Sequence, residues 1–109
     1  MAAVLIYITT SSAEEAKSIG KTLVGERLAA CANILPAITS CFWWDGEVQE
    51  DSENVLIVKS RDDLVERITD RVKDLHGYDC PCVVALPISG GNPEFLAWIA
   101  SETGAGTAA

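Results

Sequence analysis

The side chains with chemical potential gather in two short stretches, Glu53 to Lys59 and His76 to Cys82. Cys80-Pro81-Cys82 sets two thiols two positions apart. On an extended chain both share a face, and thiolates are soft ligands for copper or zinc. The spacing differs from the two-residue gap of a zinc knuckle, and no second pair exists. His76 is the only histidine, so His76, Cys80 and Cys82 form the candidate metal set. The plain alternative is a histidine that meets carbonyls at a helix end and cysteines that act as small apolar residues, which is the reading preferred for Cys31 and Cys41. Lys59 closes an apolar run and shares a strand face with Glu53, Val55 and Ile57. An inward-facing ammonium needs an acid, and Glu53 is the expected partner. Tyr78 and Trp98 each join an apolar ring to a polar tip. Together Glu53, Lys59, Tyr78 and Trp98 predict a cleft with His76 at its rim; the alternative is a structural ion pair with two packing aromatics. No motif sets a nucleophile beside a base, and there is no phosphate-cradling loop or nucleotide fingerprint, so an enzyme is not expected.

These residues depend on the elements that hold them. Val4 to Thr10 reads as a central strand, and Ser12-Ala13-Glu14-Glu15 as a capping box opening a helix that runs to about Leu28. Ala16, Ile19, Leu23, Val24 and Leu28 fall on its buried face, and Gly20 and Gly25 weaken it. Cys31 to Trp44 is apolar on both faces, with Ile34, Pro36, Ile38, Ser40, Phe42 and Trp44 on one. It is far longer than the usual strand of about 5 or 6 residues, so a hinge is expected near Pro36. Asp45-Gly46 is a two-residue hairpin turn, and Glu47 to Val58 returns. Ser60 reads as the cap of a second helix, amphipathic, with Leu64, Val65, Ile68, Val72 and Leu75 inward, Arg61 among the outward residues and Gly77 as a left-handed stop. Cys82 to Ile88 reads as a final core strand, and Asn92-Pro93-Glu94 starts a short helix through Ile99. Ser101 to Ala109 reads as a frayed tail. The order is the split βαβ plan, βαββαβ plus a C-terminal helix: an α+β, ferredoxin-like domain over residues 1–102, with a flexible segment at 103–109.

At 109 residues there is room for one domain. Hydrophobic residues make up 49% of the chain and the mean hydropathy is +0.20. That is high for a small monomer, and an arm bearing Phe42, Trp43 and Trp44 would be insoluble alone. Self-association through those three residues is expected, with the cleft lying between subunits. Sixteen acidic against eight basic residues give a formal charge of −8, which repels phosphate backbones and anionic lipid and favours cations. The N-terminus carries no basic stretch before its short apolar run, and nothing reaches membrane-spanning length. A cytoplasmic setting follows as the expectation, with the four cysteines reduced.

Taken as a set, Glu26-Arg-Leu-Ala-Ala-Cys-Ala-Asn-Ile-Leu-Pro36, Ser40-Cys-Phe-Trp-Trp-Asp-Gly46, Glu53 to Lys59, Leu75-His-Gly-Tyr-Asp-Cys-Pro81 and the Pro87 to Trp98 ending resemble the CutA family of divalent-cation tolerance proteins. The resemblance runs from Val4 to about Ile99. It implies a homotrimer of ferredoxin-like subunits knitted together by long hairpins, similar to the PII signalling proteins. It also implies tolerance of copper and other divalent cations, with copper binding in some members. Two positions depart from the pattern: Cys82 stands where glutamate is common, and Glu47 where lysine often follows the hairpin glycine. Copper-ligating members place a thiol where Ile8 stands and histidines before the Tyr-x-x-Pro motif, of which His76 alone remains. Cys82 is then the replacement thiol. Two functions are expected from the resemblance: metal binding linked to cation tolerance, or a PII-like regulatory trimer holding a small molecule or partner protein at its subunit clefts.

Overall fold

The computed structural model describes residues 2–103. Four strands, β1 (Ala3–Thr10), β2 (Cys31–Trp44), β3 (Glu47–Arg61) and β4 (Val83–Pro87), form one antiparallel sheet in the order β2-β3-β1-β4. Three helices accompany it: α1 (Ala13–Gly25), α2 (Val65–Leu75) and α3 (Pro93–Glu102). This is the expected split βαβ plan with one extra helix.

Strand alternation sends Val4, Ile6 and Ile8 of β1 and Leu56 and Val58 of β3 into the core, where Ile19 and Leu23 of α1 and Ile68 and Val72 of α2 cover them. Each large side chain fully buried there contributes about 1.5–3 kcal/mol. Gly20 sets the closeness of that contact, since a Cβ on it would lie 3.1 Å from both Ala32 Cβ and Leu56 Cδ1. The glycine that weakens the helix is what lets it lie against the sheet. Leu5, Tyr7, Ile57 and Lys59 point to the opposite face. Among the described residues no core covers that face, and Leu35, Val84 and Leu86 on the same side are about half exposed. β4 is thus an open edge strand within one subunit and not a core strand, and as an edge it tolerates Pro87.

The β2–β3 hairpin turns at Asp45-Gly46, both left-handed (φ 53° and 77°), as a type I′ turn demands. The register slips between Leu35↔Val55 and Ile38↔Glu53, so Pro36 and Ala37 together face Asn54. This is a bulge. Ala37 sits at φ 62°, and its amide donates to Asn54 Oδ1 at 3.1 Å. The bend expected at Pro36 is there, and it also reverses the alternation: Cys31, Asn33 and Leu35 lie on the open face before it, Ile38, Ser40, Phe42 and Trp44 after it. Ile34 and Trp44, expected on one face, are therefore on opposite faces.

Five further expectations need correction. Ser60 caps no helix; β3 runs on through Arg61, and Ser60 is buried with its hydroxyl donating to Leu28 O at 2.6 Å. Arg61 is buried rather than outward, because it ends the strand and precedes a single 3-10 turn at Asp62–Leu64. Gly77 has no left-handed backbone; α2 ends at Leu75 with an extended His76 whose amide bonds Val72 O, and the Gly77 amide is held by Glu15. The helix α1 stops at Gly25, where the left-handed position falls on Arg27 (φ 64°), the Arg27 amide bonding Val24 O and the Leu28 amide Leu23 O. That is a Schellman ending with arginine in the glycine position. At the other terminus, Ser101 and Glu102 belong to α3, and Thr103 is fully buried with its hydroxyl on Ile99 O at 2.9 Å. The rest of the expected tail lies outside the described residues.

Candidate functional site

Glu53, Tyr78 and Cys82 meet at the hairpin end of the open sheet face. Glu53 on β3 pairs with Ile38 just beyond the β2 bulge, and Cys82 directly precedes β4, whose register sets it across from Thr9 on that face. Tyr78 lies in the loop after α2. Its hydroxyl donates to Glu53 Oε2 at 3.0 Å, and its ring lies 4.6 Å from the His76 ring. Burial first, and then the carboxylate of Glu53, push the phenol up to about 12. Burial and Glu53 likewise raise the Cys82 thiol, against a contact with the Thr9 side chain that works the other way. Both groups are held in their protonated forms at neutral pH.

His76 anchors this corner. Its Nε2 donates to Thr9 O at 2.7 Å, and its Nδ1 accepts from the Tyr78 amide at 3.0 Å, which fixes a neutral ring with the proton on Nε2. The carbonyl it meets belongs to β1, not to the helix end. With both nitrogens engaged and the ring enclosed, His76 positions Tyr78 and is not presented as a metal ligand within one subunit. Glu15 completes the support: its carboxylate accepts from the amides of Gly77 (2.8 Å) and Ser11 (3.1 Å). Burial works to raise its pKa, yet the amides of Gly77 and Ser11 outweigh that and leave it below the ordinary carboxyl value. The capping box is present in altered form, since Ser12 Oγ accepts from the Glu15 amide while Glu15 reaches back to Ser11.

Lys59 lies elsewhere on the same face. Its ammonium donates to Asn33 Oδ1 at 2.7 Å and lies 3.7 Å from Cys31 Sγ, so its partner is a neutral amide across the β2–β3 ladder and not Glu53. The reason is reach: six residues of strand separate the two, about 20 Å. Trp98 is farther still. It stacks against Phe95 at 5.4 Å and borders an open cavity of about 340 Å³ with Val24, Arg27, Ala30 and Glu102. One subunit thus unites Glu53 with Tyr78 and leaves Lys59 and Trp98 apart.

Cys80 and Cys82 are exposed free thiols, as is Cys41, while Cys31 is half-buried. Among the described residues, no three of the His, Cys, Asp and Glu side chains converge closely enough to hold a metal ion. No helix among them is long and apolar enough to cross a membrane. The aromatic arm stands free: Trp43 is 75% exposed and Trp44 67%. Sequence reasoning missed Glu15 and Asn33 as supports. The capping-box glutamate and the lone amide on an apolar strand face were the available signals.

A family model described as "CutA1 divalent ion tolerance protein" matches residues 4–102. "Divalent-cation tolerance protein CutA" of Thermus thermophilus is 49% identical over 100 residues, covering 92% of this chain and 97% of that protein. "Protein CutA 1, chloroplastic" of Oryza sativa is 44% identical over 92% of this chain, which spans only 56% of the rice protein. The chain covers about half the length of the plant relatives it matches. The crystal structure of CutA1 from Oryza sativa superposes with a TM-score of 0.92 at 42% identity over 95% of both chains. The structure of the divalent cation tolerance protein from Thermus thermophilus gives 0.92 at 48% identity over 94% of this chain and 99% of that one.

Proposed function

The chain belongs to the CutA1 divalent ion tolerance family, and from that premise we propose that it acts as a homotrimer that binds divalent metal ions or copper where its subunits meet. One observation carries the reading: the open sheet face joins half-exposed Leu35, Val84 and Leu86 to the Glu53, Tyr78 and Cys82 group at its end. Apolar surface of that kind calls for a cover, and a hairpin arm ending in Phe42, Trp43 and Trp44 on each copy supplies one. Arm over face is a head-to-tail contact, which closes into a ring. A carboxylate and two thiols from one chain make a partial ligand set, with Cys82 and Cys80 the soft donors for copper and Glu53 the hard one. Neighbouring copies complete the cleft and bring Lys59 and Trp98 toward it. Four free thiols support a reducing, cytoplasmic setting.

Light scattering on gel-filtered protein, followed by copper and zinc titration, tests this. Three chains per particle, saturable metal uptake and weakened copper uptake in Cys82→Ser are expected. A stable monomer at micromolar concentration overturns the assembly; unchanged copper stoichiometry and affinity in Cys82→Ser remove that residue from the site. A second reading, a PII-like regulatory trimer with a small molecule in the same clefts, is favoured by Lys59, whose ammonium meets Asn33 and Cys31 and no carboxylate among the described residues. Under that reading Lys59→Met alters ligand binding with the trimer intact and leaves metal uptake unchanged.

A further inference from the structure

Arg61 is a buried cation with an incomplete set of partners. Its side chain is 4% exposed, and its one carboxylate neighbour among the described residues, Asp63 Oδ2, stands 3.4 Å from Nη2. Among the same residues its Nε meets no acceptor. A guanidinium offers five N–H donors, and enclosing it is strongly penalised unless those donors are satisfied. Among the described residues, Arg61 is also the one charged side chain lining a cavity of about 210 Å³, whose other walls come from Ala2, Ala3, Ile88, Leu96, Ile99 and Ala100. The backbone groups nearby are already spoken for: the Asp62 amide bonds Ala2 O at 2.8 Å, and the Ile88 amide bonds Ala3 O at 3.0 Å. Of these groups, the guanidinium is the one left without a full set of partners among the described residues.

We propose that the cavity is a binding site for a small monocarboxylate with a branched aliphatic body, its carboxylate on Arg61 and its body against the alanine, leucine and isoleucine walls. A carboxylate matches the flat edge of a guanidinium with two parallel hydrogen bonds. Phosphate fits worse. It would bring a second negative charge into an apolar enclosure that holds one cation, beside Asp62 and Asp63 and on a chain of formal charge −8. The volume falls below the roughly 300–1,000 Å³ of pockets for drug-sized ligands, which selects a small body. The site lies at the end of β3 away from the hairpin turn, so it is independent of the proposed metal cleft.

Calorimetric titration with 3-methylbutanoate tests the proposal, with 3-methylbutanamide and inorganic phosphate as comparisons. Arg61→Met removes the cation. Ala100→Phe keeps the guanidinium and fills the cavity from another wall, so it carries the test if the first variant fails to fold, circular dichroism reporting on both. The expected result is saturable millimolar binding of the carboxylate at one site per chain, weakened at least about tenfold in each folded variant and for the amide, as loss of a charged hydrogen-bonding partner requires. Absence of carboxylate binding to the folded chain, binding unchanged in Ala100→Phe, or equal affinity for the amide or phosphate overturns it.

Discussion

The Tyr78 hydroxyl and the Glu53 carboxylate lie 3.0 Å apart across the open end of the sheet, and the phenol is the donor. Ionising Tyr78 would set two negative charges against each other in a partly covered site. Its pKa of about 12, against an ordinary 10.0, means that the folded state prefers the neutral phenol. The stability this provides is complete below pH 10 and is lost as pH rises through 12. Glu53→Gln should lower the Tyr78 midpoint only part of the way, because burial, the largest single cause, remains. Phenolate absorbance, with Tyr78→Phe to identify the late titration, measures it; an unmoved midpoint would show that Glu53 does not hold the phenol.

Glu15 governs the acid side. Its pKa is lowered on folding, so the stability it supplies is present above the ordinary carboxyl range and lost as pH falls through the lowered value. Glu15→Gln should cost about 1–3 kcal/mol at neutral pH, the usual effect of removing a charged acceptor from two amides. Urea unfolding at several pH values checks this. The gap between the two proteins should narrow as the solution is acidified.

Two glycines of α1 should respond to alanine with opposite signs. Helix propensity favours alanine by about 1 kcal/mol at either position. At Gly20 the new methyl meets Ala32 Cβ and Leu56 Cδ1 at 3.1 Å, and such overpacking costs about 1–3 kcal/mol. Gly20→Ala is therefore expected to destabilise. Gly25→Ala meets nothing within 4 Å and should stabilise by about 0.5–1 kcal/mol. Thermal or urea melts of the pair decide it, and equal shifts would contradict the close helix–sheet approach.

Arg27 occupies a left-handed position that glycine adopts freely. Its ion pair with Glu102, 2.6 Å long, is half exposed and worth about 0–1 kcal/mol. Arg27→Ala loses the pair and keeps the backbone strain, whereas Arg27→Gly loses the pair and relieves it. The glycine variant should exceed the alanine variant in unfolding free energy by about 1 kcal/mol, which urea melts of the two would measure.

The elements with local signals were legible in the sequence: the capping serine of α1, the Asp45-Gly46 turn, the amphipathic face of α2 and the asparagine-proline start of α3. The strand–helix order then dictated the sheet. What could not be read depended on register between distant strands. Lys59 finds Asn33 only because Cys31 lies across from it on β2, and the sequence distance to Glu53 conceals a span too long for an ion pair. Arg61 looked like the first exposed residue of a helix because Ser60, with Asp62 and Asp63 beyond it, imitates an N-cap. The candidate site was legible in half: Glu53 and Tyr78 meet, while the His76 ring serves the fold because its acceptor is a β1 carbonyl that no nearby sequence announces.

The additional residue at Pro36-Ala37 sets the direction of everything beyond it. Removing Ala37 would set Leu35 and Ile38 two positions apart, so Phe42 and Trp44 would keep their face and their partners on β3 while the bend beneath them is lost. The arm would carry the same rings on the same sides, yet leave the sheet at a different angle and reach a different place on whatever it grips. A deletion there would change neither core nor helices but the aim of a lever.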